Sequence, residues 1–131
     1  MLAQGTFDIT MQPEPPYDTV DGVSLARIHV DKRFTGELEA TSVVEMLAAQ
    51  TPVAGSAGYV ALERVSGTLA GRRGRFVLLH HAVMTRGTPS LSVTVVPDSA
   101  SGELAGLAGT LEILVASDGR HHYRFDYQLD G

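Results

Sequence analysis

A glutamate and a histidine on an otherwise apolar strand face are the residues of this sequence best placed to do chemistry. They are Glu63 and His80, within the segment GSAGYVALERVSGTLAGRRGRFVLLHHAVMT that runs from Gly55 to Thr85. A carboxyl beside an imidazole on a dry face can act as an acid/base pair, because burial raises the pKa of the first and lowers that of the second. The competing reading is a structural hydrogen-bonded pair, since buried polar groups are usually satisfied and inert. The segment alternates, is rich in Val, Leu, Tyr, Phe and Thr, and reads as one long β-hairpin about Gly71-Arg72-Arg73-Gly74, whose glycines can take positive φ. With Arg72 and Arg73 as the loop, the facing pairs are Leu69/Phe76, Gly67/Leu78, Val65/His80, Glu63/Ala82 and Ala61/Met84. Glu63 and His80 then lie on one diagonal, within side-chain reach. The opposite face mixes Arg64, Ser66, Thr68, Arg75, His81 and Thr85 with Val60, Leu62, Val77, Leu79 and Val83, so the Glu63 face is expected to point inward. Glu63 and His80 are the expected catalytic residues.

Other polar groups fall around this pair. Tyr59, Tyr123 and Tyr127 supply phenols able to orient a carbonyl or hydroxyl, and Phe76 and His121 share inward faces; these five are the expected substrate contacts. They are equally ordinary as core residues with hydroxyls near a rim. Adjacent histidines occur at His80-His81 and His121-His122, but neighbouring strand residues point to opposite faces, so neither pair chelates as a unit. Only a non-adjacent set of Glu63, His80 and His121 stays open to a metal, and neither a metal nor a cofactor is expected. Arg72, Arg73 and Arg75 read as a solvated hairpin tip. The sequence contains no phosphate-binding loop, dinucleotide fingerprint or Gly-x-Ser-x-Gly elbow, and Ser42, Ser56 and Ser66 have no argued base partner.

The elements that must position these residues are strands. Residues 3–12 alternate with Phe7, Ile9 and Met11 on one face, and the three prolines and Asp-Gly of residues 13–22 make an extended loop, either a lid or an edge cover. Residues 23–35 set Ala26, Ile28, Val30 and Phe34 against Arg27, His29, Asp31 and Arg33. In residues 37–50 the spacing of Val43, Met46 and Leu47 allows a helix, but the β-branched run from Thr41 to Val44 favours a strand. Leu91, Val93 and Val95 form the apolar face of the next strand, and residues 98–103 resemble a capping motif or tight turn. In the last hairpin a two-residue Asp118-Gly119 loop would set Leu111 against Asp126. A three-residue Ser117-Asp118-Gly119 loop instead pairs Val115/His121, Ile113/Tyr123 and Leu111/Phe125. The pattern predicts an all-β fold, an antiparallel sandwich or barrel of about eight strands with one short helical turn at most. Strand glycines such as Gly58, Gly67 and Gly74 favour the barrel, as marks of bulges or sharp bends.

A chain of 131 residues with 44% hydrophobic residues is the size of one domain, expected to span residues 1–131. The absence of cysteine excludes disulfides, thiolate nucleophiles and Cys-ligated zinc. The start MLAQGTFDIT has neither the basic nor the apolar region of a signal peptide, and no run reaches the length of a membrane span, so a cytoplasmic protein without a membrane partner is expected. A formal net charge of −5 argues against a nucleic-acid partner.

The runs GSAGYVALERVSGTLAGRRGRFVLLHH, SLSVTVVPDSASGELAGLAGTLEI and HHYRFDY, with GTFDITMQPEPPYD and VDKRFTGELEATS ahead of them, resemble a bacterial family known only as a domain of unknown function. Members of that family are similar in structure to the allene oxide cyclase barrel, the eight-stranded architecture shared with plant dirigent proteins and some polyketide cyclases. The resemblance implies an apolar barrel mouth that shapes a flexible substrate, with few polar groups and no metal. It matches no catalytic motif residue by residue, so it carries a fold and not an activity.

The expected function is therefore binding of a small apolar or carbonyl-bearing molecule in a β-barrel, as a cyclase or isomerase acting on it. The alternative is a non-catalytic ligand-binding or structural oligomeric barrel. A homo-oligomer, dimer or trimer, is expected because Val60, Leu62, Val77, Leu79 and Val83 make the second hairpin face too apolar to leave wet.

Overall fold

In the computed structural model, which describes residues 1–129, the regular elements are all strands: β1 (Leu2–Pro13), β2 (Asp18–Val20), β3 (Val23–Gly36), β4 (Leu38–Gln50), β5 (Ala57–Leu69), β6 (Arg72–Thr85), β7 (Thr88–Val95), β8 (Ser101–Gly102), β9 (Ala108–Val115) and β10 (His121–Gln128). Each barrel strand is antiparallel to its neighbours in the order β1-β10-β9-β7-β6-β5-β4-β3, and β1 pairs with β3 to close the ring. The fold is a closed eight-stranded antiparallel barrel with two extra strands. β2 continues along the β3 edge beyond the point where β1 leaves it, and β8 lies against β6. The prolines of residues 13–16 thus lead into an exposed edge strand.

Residues 38–50 are a strand whose buried positions alternate from Leu38 through Ala40 and Ser42 to Val44, so β-branching and period two prevail over the helical spacing. The last hairpin pairs Val115 with His121, Ile113 with Tyr123 and Leu111 with Phe125, about a loop in which Gly119 has φ of 84°. The central hairpin corrects the expected register. Leu69 faces Arg72 rather than Phe76, and the loop is Ala70-Gly71, both with positive φ (49° and 84°), the pairing of dihedrals a two-residue turn needs to match strand twist. The arginines belong to β6. The shift is four residues, an even number, so every side chain keeps its face. Its physical reason is that Ala70 takes the left-handed conformation beside Gly71; the new register sets Gly67 opposite Gly74, where a side chain on the first would strike the backbone at Glu39 and Ala40, and on the second the backbone at Ser101 and the side chain of Leu104. Close crossing of neighbouring chain, and not a bulge, accounts for glycine there.

The interior divides into two hydrophobic clusters. One holds Phe34, Leu38, Leu69, Phe76, Phe125 and their neighbours, together with Leu104 and Leu107 from the β7–β9 connection. The other is small: Val30, Val44 and Ala61, with Ile28, Met46 and Tyr59 partly buried around them. The first fills one end of the barrel. The second lies towards the opposite end, where the 51–56, 86–87 and 116–120 loops are.

Candidate functional site

Four consecutive strands each contribute one polar side chain to the interior. Lys32 of β3 pairs across the ladder with Ser42 of β4, Glu63 follows on β5, and His80 on β6. Glu63 is completely buried and His80 and Ser42 nearly so. His80 Nε2 lies 2.7 Å from Glu63 Oε1, Ser42 Oγ donates to Glu63 Oε2 at 2.6 Å, and Lys32 Nζ donates to Glu63 Oε1 at 3.2 Å. In the actual register Glu63 faces Leu78 and His80 faces Ala61, so the two sit on the other diagonal from the one the expected loop implied, still on one face.

Burial by itself pushes the Glu63 carboxyl upward. The His80 hydrogen bond, the charges of Lys32 and His80 and the Ser42 hydroxyl outweigh that, and the group is held below its ordinary value. An ionised carboxylate only accepts, so the His80 Nε2 facing it carries the hydrogen, and whenever the ring is neutral Nδ1 is its proton-accepting atom. Lys32 is also fixed from the other side, with its Nζ 4.9 Å from the centroid of the Phe7 ring and 5.9 Å from that of Phe34. Among the described residues no buried side-chain nitrogen or oxygen lacks a partner.

Of the expected substrate contacts, the structure brings only Tyr59 near the pair. Its phenol is half-buried and its pKa is raised, first by burial and then by the Glu63 charge, which keeps it a hydrogen-bond donor. His121 stacks on Phe7 with centroids 5.1 Å apart, one ring removed from Lys32, and does not join Glu63 and His80. Phe76 and Tyr127 lie in the filled end, each against Phe125. Tyr123 has its hydroxyl committed, accepting from the Leu38 N–H at 3.0 Å and lying within hydrogen-bond distance of the Thr35 and Leu38 carbonyls.

Lys32 and Ser42 are the site residues that sequence reasoning missed. The signal was present in period two: counting back from Phe34 to Val30 crosses Lys32, and counting from Ala40 to Val44 crosses Ser42. The serine without an argued base partner thus has a carboxylate partner.

Above the cluster the barrel opens. At this rim a cleft of about 460 Å³ is walled by the inward-facing Ala57, Tyr59, Ala82, Met84 and Leu91 and, where it passes over the strand ends, by Gly58, Val83 and Ser90, with the 51–56 loop over it. Along β6, His80 is the next inward residue below Ala82. A closed antiparallel barrel, filled at one end and carrying an ionic cluster where it begins to open, is the class that this fold and site define. The chain belongs to the family described as protein of unknown function DUF3224, which matches residues 3–127. It is similar to the crystal structure of a protein of unknown function from that family from Shewanella oneidensis, with 48% identity, a TM-score of 0.95, and coverage of 100% of this chain and 98% of the other. No curated protein matches.

Proposed function

We propose that this protein binds a small apolar, carbonyl-bearing molecule at the open end of the barrel and isomerises or cyclises it by proton transfer. The observation that carries the reading is the position of the cluster: His80 lies one inward residue below an apolar cleft of about 460 Å³, with its Nε2 occupied by Glu63. In this reading the Tyr59 phenol donates to the substrate carbonyl, which makes the adjacent C–H more acidic. His80 Nδ1 takes that proton and returns it to another carbon of the same molecule, so the reaction is balanced without an added reagent. Glu63 is a positioning residue: it holds the imidazole through Nε2 and stabilises its protonated form. Lys32 and Ser42 hold Glu63. An allene oxide cyclase-like use of the barrel, shaping a flexible substrate with few polar groups, belongs to this proposal.

Prodan, an uncharged naphthyl ketone with hydrogens next to its carbonyl, tests binding and proton transfer separately. Its fluorescence should shift on binding, and the protein should speed exchange of those hydrogens in deuterium oxide. His80→Gln, which can still donate to Glu63, should bind prodan and lose the exchange. Exchange no faster with native protein than in buffer alone would leave a binding barrel without turnover, and equal acceleration by both proteins would remove His80 as the base.

A second reading, a structural oligomeric barrel, is favoured by the outer wall. Val43, Leu47, Val60, Leu62, Leu79 and Val83 are each between 42% and 57% exposed on adjacent strands. Association of copies through this face would bury them. Light scattering should give a dimer or trimer for the native chain and a monomer for Leu62→Lys; a native monomer would remove this reading.

A further inference from the structure

Strands β7 and β9 are joined at a single position, Thr94 with Thr110, whereas every other pair of barrel neighbours forms a ladder. Their register does not prevent pairing. Continued from Thr94/Thr110, it would set Val93 opposite Leu111, Ser92 opposite Glu112 and Leu91 opposite Ile113, inward residue against inward residue. The ladder stops instead, and a groove of about 690 Å³ lies over the gap, lined by four inward residues, Leu91, Val93, Leu111 and Ile113, together with the outward-facing Ser92, Thr110, Glu112, Arg124 and Asp126. The Val96 N–H donates to Val77 of β6, and the Ala116 N–H to Arg120 across the last hairpin. Alternation along each strand therefore turns the backbone edges of these same four residues towards the seam. Val93 and Leu111 are buried, while Leu91 is 41% exposed, so the opening is at the level of Leu91 and Ile113.

Two links tie this seam to the cluster. Leu91 also lines the cleft at the open end, so the two spaces share a wall. Val93 is the cross-strand neighbour of His80. We propose that the β7–β9 seam is the side entrance by which an uncharged apolar molecule bearing a carbonyl or hydroxyl reaches His80, and the place where its apolar body stays bound. This rests on the reading of the open end as a small-molecule site. The ligand class follows from the inward side of the gap: there four aliphatic side chains take an apolar body and the unladdered backbone N–H groups of Leu91 and Ile113 can donate to an oxygen on it, while Ser92, Glu112, Arg124 and Asp126 form a polar outer rim that the ligand passes. The matched register lets the strands zip behind the ligand without slipping.

The chain has no cysteine, so Ser92→Cys with Glu112→Cys introduces a single possible disulfide on the outer face. In a zipped seam this is a non-hydrogen-bonded pair with Cα atoms about 4.5 Å apart, within the span of a disulfide. Prodan association, followed by stopped-flow fluorescence, should slow at least about tenfold in the oxidised variant and recover on reduction. Ile113→Trp, which fills the seam from β9, should slow it as well. Equal rates in the oxidised, reduced and Ile113→Trp proteins would overturn the seam while leaving the open-end site standing. Failure of the disulfide to form in ligand-free protein would overturn the zipping. Absence of prodan binding to the native chain would remove the small-molecule reading, and the seam with it.

Discussion

The two ends of this barrel are built from the same strands with the same alternation, yet one is a packed core and the other is an open rim. At the filled end Phe76, Phe125, Leu38 and Leu69 are at most 1% exposed. At the other end the same inward faces carry Ile9, Met11, Met84 and Leu91 at 36% to 50% exposure. The strands do not make the difference. The long connection from β7 to β9 folds Leu104 and Leu107 into the first end, while the second has only short loops. A loop, and not the sheet, thus decides which end is solid, and the polar cluster lies where the plug gives out. The contrast predicts unequal costs of mutation along a single face.

The largest effect belongs to the filled end. Phe125→Ala removes a ring that stacks on Phe76 at 5.9 Å and touches Tyr127 at 5.4 Å, and should cost about 3–5 kcal/mol in chemical denaturation. A cost below about 1 kcal/mol would mean that this end collapses readily onto the missing volume, and the comparison would break.

Next comes the boundary. Glu63→Gln leaves the Lys32 ammonium, whose side chain is 10% exposed, without its counter-charge, and should cost about 3 kcal/mol. Adding Lys32→Met should recover most of the loss, because removing both members of a buried ion pair is far milder than removing one. If the double variant is no more stable than Glu63→Gln, Lys32 is not the residue that suffers, and the cluster is not coupled as its geometry implies.

This distribution of cost explains what could be read in advance. The alternation of β5 and β6 fixes the shared face of Glu63 and His80, and an even register error leaves that face unchanged, so the pair was legible although its loop was misplaced. Ala70 concealed the turn, since a non-glycine residue at φ of 49° is uncommon and the glycine-bracketed arginines offered a better local signal. In the last hairpin, where Gly119 occupies its turn and a shorter loop would bury charge, the register was legible to the residue. Lys32 was hidden by its type: lysine is read as solvent-facing, and only the Glu63 carboxylate, distant in sequence, makes its inward position tolerable. The plug was illegible for a related reason. Leu104 and Leu107 sit in a glycine-rich connection without periodicity, and Leu104 packs into the space above Gly74 that no local pattern announces.

A smaller effect follows from protonation. The folded Glu63 carboxyl is held below its ordinary value of 4.5, despite burial, by His80, Lys32 and Ser42. By linkage, the stability this supplies is fully present above the unfolded value and is lost as pH falls through the folded one. Urea midpoints measured from about pH 6 to about pH 3 should therefore fall more steeply for the native chain than for Glu63→Gln with Lys32→Met. Parallel curves would assign the acid lability to carboxylates elsewhere.

The smallest effect is expected at the rim. Met84 and Leu91 point inward, but each is more than 40% exposed and neither belongs to a buried cluster. Truncating a side chain that is already half in water forfeits only the fraction of apolar area it had buried and leaves no closed cavity. Met84→Ala should thus cost less than about 1 kcal/mol, several times below Phe125→Ala on the same inward surface. Because Met84 also lines the 460 Å³ cleft, the same variant should weaken prodan binding while leaving the urea midpoint almost unmoved. That split is the signature of a side chain kept for a ligand. A Met84→Ala protein as destabilised as Phe125→Ala would instead mean that the rim is packed in solution, against a second copy or a loop folded over it, and that both ends of the barrel are closed.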